Sequence, residues 1–137
     1  MTAQEIDPAA LLHRVTGRYQ NVEYGPGVIA GATLLADPQR LEQALVNLLD
    51  NAALAGSRVL VDFEQADENP AIIVADDGPG IPEEIRDRLF TPFVSRSPGG
   101  TGLGLAIVAR VMAAHGGAVK LSSRSGWTTC FRLEFPA

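Results

Sequence analysis

Apolar residues at positions 41, 44, 45, 48, 49, 52 and 55 recur with the period of an amphipathic helix. Asp37-Pro38 in front of them supplies an N-cap and a first-turn proline, and Gly56 ends the run, which predicts a helix over 39–55. Asp7-Pro8 repeats the signal and predicts a shorter helix over 8–16. A third apolar run, 103–115, closes on Gly116-Gly117 and predicts a helix with a glycine stop. Between these the period drops to two. Val59, Val61 and Phe63 alternate with polar neighbours over 58–64, the pattern of a half-buried strand, while the β-branched run 71–75 suits a more buried one. Further strands are expected at 19–24 and 28–35 around Gly25-Pro26-Gly27, and at 118–122 and 128–135 joined through Gly126. A short acidic-headed helix is expected over 83–89, and residues 90–102, rich in Pro, Gly, Ser and Thr, form a loop. The order is that of an α+β sandwich, a mixed sheet with helices packed on one face.

Length and composition narrow the class. The 137 residues, 46% apolar and 20% charged, suit one folded domain with its own core. A net charge of −5 argues against a general nucleic-acid or anionic-membrane binder. No apolar run approaches the roughly 20 residues of a membrane span, and the first residues lack the basic-then-apolar layout of a signal peptide. A single cysteine, Cys130, excludes an internal disulfide framework and suits a reducing, cytoplasmic compartment.

Three stretches carry candidate chemistry. Asn47 and Asn51 lie one turn apart beside the apolar stripe of the 39–55 helix. Their amide oxygens are hard ligands of the kind Mg²⁺ accepts; solvated or capping asparagines are the alternative. Asp76-Asp77-Gly78-Pro79-Gly80 follows a buried strand. A carboxylate there can accept a hydrogen bond from an exocyclic amine such as adenine N6, with glycines leaving room for a flat ring; a plain tight turn is the alternative. Gly99-Gly100-Thr101-Gly102-Leu103-Gly104 opens a helix, where backbone N–H groups and the helix dipole stabilise phosphate; a flexible hinge is the alternative. A Walker A loop is excluded because Leu105, not lysine, follows Gly104. A dinucleotide fingerprint is excluded because a long loop, not a strand, precedes the glycines.

Taken in order, these stretches resemble the catalytic ATP-binding domain of bacterial sensor histidine kinases, within the wider ATPase group of gyrase, the Hsp90 chaperones and MutL. "LEQALVNLLDNAALA" (41–55) matches the N box, "VADDGPGI" (74–81) the G1 box, "LFTPFVS" (89–95) the F box and "GGTGLGLAI" (99–107) the G2 box. "AAHGGAVKLSS" and "TTCFRLEFP" match the tail, so that the resemblance covers about 33–136. It implies a two-layer α/β sandwich, the Bergerat fold, with a mixed sheet of about five strands and three main helices on one face. It also implies a single catalytic domain over 1–137, with an ATP lid over 82–101 that Phe90 and Phe93 would anchor.

By the same resemblance, the cofactors are ATP and Mg²⁺. Asn51 would hold the metal against the triphosphate and Asn47 would stand near metal and phosphates. Asp76 would read adenine N6, with Gly78 and Gly80 giving the ring room and Thr129 beside the adenine pocket. Gly100, Thr101, Gly102, Leu103 and Gly104 would present amides to the phosphates. The reaction implied is transfer of the γ-phosphoryl group to a histidine of a separate dimeric helical-hairpin domain, in cis or in trans, and from there to a response regulator. No nucleic-acid or direct membrane partner is implied. The isolated domain is expected to be a monomer, free in the cytoplasm or the cytoplasmic part of a membrane-bound sensor.

The sequence departs from the family pattern at its cations. Leu54 stands where many members carry a basic residue, Ala55 where an aromatic or polar one is common, and Ser97 where the lid has a lysine. Arg96, adjacent to Ser97, is the candidate to supply the charge, with a solvated loop arginine as the other reading. Neither histidine fits the family's acceptor. His13 sits in the domain's own first helix, and His115 ends the last helix, where the dipole favours a histidine cation. Trp127 is expected as a partly buried turn residue and Cys130 in the core or on the back of the sheet. Two other functions stand beside the kinase. One is a nucleotide-sensing or inhibitory module that transfers nothing. The other is a slow ATPase of the same fold group, which would want a glutamate base where Asn47 stands.

Overall fold

The computed structural model describes residues 1–66, 68–94 and 102–136. Three helices, α1 (Pro8–Thr16), α2 (Pro38–Ala55) and α3 (Gly104–Ala114), accompany seven strands. The strands are β1 (Gln4–Ile6), β2 (Val22–Tyr24), β3 (Leu34–Ala36), β4 (Val59–Glu64), β5 (Ala71–Asp76), β6 (Ala118–Ser122) and β7 (Thr129–Glu134). Five of them form one mixed sheet in the order β2-β4-β5-β7-β6, with β2 parallel to β4 and the other pairs antiparallel. β1 and β3 form a separate antiparallel pair.

The capping signals act as their chemistry dictates. Asp7 accepts from the amides of Ala9 and Ala10 at 2.9 and 3.4 Å, and Asp37 from those of Gln39 and Arg40 at 3.1 and 3.3 Å, each ahead of a first-turn proline. α3 ends in a Schellman motif. Gly116 takes φ +76°, its amide reaches the Ala113 carbonyl, and the Gly117 amide reaches back to the Met112 carbonyl at 2.9 Å. Gly117 is required for a second reason: a Cβ there would lie 2.0 Å from the Glu134 carbonyl oxygen of β7.

All three helices pack on one face of the sheet. Leu12, Leu41, Leu45, Leu48, Val108 and Met112 meet Val61, Ile72, Val74, Phe131 and Leu133 in a single buried cluster. The back of the sheet is closed as well, against the half-buried strand that the alternation of 58–64 suggests. Leu60, Ile73, Ala75 and Cys130 are buried there under Trp127, and the Arg58 guanidinium stacks over that indole at 4.6 Å. Asp62 is buried on the same strand. Its Oδ1 accepts from the amides of Gly27 and Phe63, both at 2.8 Å, and its Oδ2 from Arg124 at 2.7 Å. Cys130 thus lies on the back face, where burial pushes its thiol pKa up, away from reactivity.

Several expected elements differ in length. The piece at 19–24 contracts to β2, and that at 28–35 to β3, because the Gly25-Pro26-Gly27 loop packs on β4 instead of extending. A Cβ on Gly27 would meet the Phe63 carbonyl oxygen at 1.6 Å. β1 carries no alternation and is held from outside: it pairs with β3, and the Thr2 amide donates to Asp37 at 2.9 Å. The acidic-headed helix is a 3-10 helix, Glu83–Arg88. No helix among the described residues is long and apolar enough to cross a membrane.

Candidate functional site

The second half of α2 is the floor on which the sequence-predicted residues meet. Asn47 and Asn51 face the same way, one turn apart, both half-buried. The start of α3 lies against Asn47: a Cβ on Gly104 would sit 3.8 Å from the Asn47 Cβ. α2 and α3 run antiparallel, since the far end of α3 meets the α2 N-cap, where the Asp37 amide donates to His115. The other end of α2 is fitted to the turn after β5. A Cβ on Gly78 would meet the Ala55 carbonyl oxygen at 2.4 Å, so only glycine lets that turn close onto the helix.

Asp76 and Thr129 are cross-strand partners at the adjoining ends of β5 and β7, on the face toward the helices. Both are buried, at 1% and 2% exposure. The Gly78 amide donates to Asp76 Oδ1 at 3.0 Å and fixes the carboxylate, while the Thr128 amide holds the Asp76 carbonyl at 3.0 Å. Gly80 takes φ +88°, a conformation that glycine adopts without strain. The two adjacent aspartates are separated by direction. Asp77 turns outward and accepts from the amides of Ser57 and Arg58 at 2.8 and 2.9 Å, and the Arg58 amide above all holds its carboxyl below the usual range. Asp77 therefore ties the α2–β4 turn to the Asp76 turn, a task that the dipeptide Asp-Asp does not reveal.

Two buried polar atoms at this site, Asn47 Nδ2 and Thr129 Oγ1, have no hydrogen-bond partner among the described residues. Each such atom costs about 1–3 kcal/mol until a partner arrives. α3 begins on Leu103, whose side chain has no acceptor, so no N-cap side chain serves its first-turn amides. Gly102, at φ +74°, accepts at its carbonyl from the Phe93 amide at 2.8 Å. Arg96, Gly100 and Thr101 lie outside the described residues.

Two side chains, Phe93 and His115, behave differently from expectation. Phe90 packs on the core, edge-on to Phe131 with ring centroids 6.0 Å apart, but Phe93, at φ +67°, is 80% exposed. His115 does not stand free at its helix end but is buried and bonded at both ring nitrogens. Its Nε2 accepts from the Asp37 amide at 3.0 Å, which leaves the proton on Nδ1, donated to the Val111 carbonyl at 2.8 Å. Tyr19, which no motif marks, donates to Asp50 at 2.6 Å beside Asn51, and burial with that carboxylate pushes its pKa up to about 12.

The comparisons with known proteins agree with this arrangement. Residues 36–137 match the family model described as histidine kinase-, DNA gyrase B-, and HSP90-like ATPase. The chain is 41% identical over 133 residues, 88% of its own length, to the signal transduction histidine-protein kinase/phosphatase MprB of Mycolicibacterium smegmatis, of which it covers 27%. The solved catalytic domain of the histidine kinase ThkA superposes with a TM-score of 0.83 at 28% identity, covering 99% of this chain and 96% of that one. Full-length ShkA in complex with AMPPNP gives 0.76 at 31% identity, covering 100% of this chain and 32% of that one. The chain spans about a quarter of the length of the first curated relatives it matches. By sequence and by fold, the chain belongs to the histidine kinase-, DNA gyrase B- and HSP90-like ATPase family, on its sensor histidine kinase side.

Proposed function

We propose that this chain binds Mg²⁺-ATP over the second half of α2 and transfers the γ-phosphoryl group to a histidine on a separate phosphoacceptor domain, as the catalytic unit of a cytoplasmic two-component signalling step. The observation that carries the reading is that a rigid buried carboxylate, a pair of amide side chains and a helix start without an N-cap side-chain bond lie around the second half of α2, with Asn47 Nδ2 and Thr129 Oγ1 lacking partners among the described residues. Asp76, fixed by the Gly78 amide, is suited to accept from an exocyclic amine, and Thr129 Oγ1 stands beside it to complete the polar contact. The first-turn amides of α3, with Gly102 and Leu103, are suited to a polyanion. Arg96, Gly100 and Thr101 would extend that surface, and residues 82–101 would form the lid.

The residues suit the metal too: Asn47 and Asn51 offer neutral amide oxygens, which fit an ion that keeps several waters and is bound partly through phosphate. When bound, Mg²⁺ supplies charge neutralisation on the triphosphate. Asn47 has no group that takes a proton from water, which favours transfer to an acceptor side chain over hydrolysis. The work of the domain is positioning and exclusion of water, since phosphoryl transfer asks little covalent chemistry of the protein.

The test is a calorimetric titration with AMPPNP, with and without Mg²⁺, in the wild type and in Asn51→Ala. The expected result is Mg²⁺-dependent binding that Asn51→Ala weakens at least ten-fold. No binding by the wild type overturns the reading. Labelled ATP is then mixed with the domain and an isolated cognate hairpin domain. Binding without a phosphohistidine product favours a nucleotide-sensing module, which Leu54, 68% exposed and uncharged at the end of α2, independently motivates.

A further inference from the structure

α2 meets α3 at both ends of α3, and the contact at the C-terminal end is far from the nucleotide-binding residues proposed above. There the buried His115 ring bridges the two helices: Nε2 takes the Asp37 amide at 3.0 Å and Nδ1 serves the Val111 carbonyl at 2.8 Å, with Phe135 edge-on at 5.9 Å. Asp37 is itself the N-cap of α2 and accepts the Thr2 amide, so the imidazole joins the C-terminus of α3, the first turn of α2 and the N-terminal segment. Both helices are continuous from that bridge to the opposite contact, where Gly104 lies over Asn47. A helix is a stiff rod over 11 residues, so a change of spacing at one end is carried to the other.

We infer that His115 is a positioning residue for the nucleotide site: through its hydrogen bond to the Asp37 amide it sets the spacing and tilt of α3 on α2, and so the distance between the first-turn amides of α3 and the Asn47–Asn51 pair. This inference rests on the nucleotide-binding reading for its consequence, but the mechanical link stands apart from it. The acceptor at the Nε2 position is the working atom. Glutamine places an amide oxygen near that position, whereas asparagine places its amide group near Nδ1 and cannot reach Asp37.

The test compares His115→Gln with His115→Asn by AMPPNP titration and by native-state hydrogen exchange, at a temperature where circular dichroism shows both folded. The expected result is that the glutamine variant keeps wild-type affinity within about two-fold, while the asparagine variant binds about three- to ten-fold more weakly. Exchange at the Ile107 amide, which donates to the Leu103 carbonyl at the start of α3, should be faster in the asparagine variant alone. Reciprocal linkage adds a readout that needs no variant: saturating AMPPNP should slow exchange of the Asp37 amide in the wild-type chain. Equal affinities and equal Ile107 exchange in the two variants, or an Asp37 amide indifferent to bound nucleotide, overturn the inference. Should the wild type bind no nucleotide, the functional reading fails by itself, and the Ile107 comparison alone decides whether the bridge positions α3.

Discussion

Removing Arg124 is expected to be among the more damaging single changes outside the helix-facing core. Asp62 is 3% exposed, and Arg124 is its one ionic partner among the described residues, at 2.7 Å. Arg124→Met keeps the aliphatic stem but leaves a buried carboxylate with two amide donors and no counter-charge. Breaking a buried pair from one side costs about 3–5 kcal/mol. With an unfolding entropy of about 2.1 cal/mol/K per residue, 137 residues convert that loss into a fall in Tm of about 10–17 °C, read by differential scanning calorimetry. Asp62→Asn should cost less, because its amide oxygen still accepts from Gly27 and Phe63 and no buried charge remains. Combining the two substitutions should recover much of the Arg124→Met loss, since the orphaned charge is gone. A Tm for Arg124→Met within 3 °C of wild type would refute the reasoning, as would a double variant less stable than Arg124→Met alone.

Two further outcomes follow from the geometry. Asp76→Asn should leave Tm nearly unchanged, because an amide oxygen can keep the Gly78 bond, while AMPPNP affinity falls about 10- to 100-fold from loss of a charge-assisted contact; wild-type binding that does not discriminate adenine from hypoxanthine nucleotides in calorimetry would count against Asp76 as the reader. The carboxyls of Asp37, held low chiefly by the Thr2 amide, and of Asp77, held low chiefly by the Arg58 amide, both lie below their ordinary value of 3.8 in the folded chain. Their stabilisation is complete above that value and is lost as pH falls through the lower folded values, so Asp37→Asn and Asp77→Asn should each flatten urea-derived stability against pH below about 4 while leaving its slope near pH 7 untouched.

The helices were legible because their determinants are local. Asp-Pro caps, a 3.6-residue period and a Gly-Gly stop act within a few residues of where they stand, and α1, α2 and α3 begin and end within one residue of the expected bounds. The strands β4 to β7 were legible in extent for the same reason. The candidate site was legible as a set of motifs, since Asn47, Asn51, Asp76 and the glycines declare themselves by type and spacing.

What tertiary structure alone decided is which atoms meet. β1 exists because β3 and the Asp37 cap offer partners 28 or more residues away, and no pattern within a three-residue segment could announce it. Asp76 and Asp77 are chemically identical neighbours; the pleat sends one inward toward Thr129 and the other outward to the Ser57 and Arg58 amides. Phe93 carries the apolar area of an anchor, yet it stands exposed, and His115 sits at a helix end, yet its ring is buried against a backbone donor at the cap of another helix. Hydrophobic period and capping chemistry are properties of neighbours in the chain. Hydrogen-bond partnership across helices and strands is a property of the packed fold.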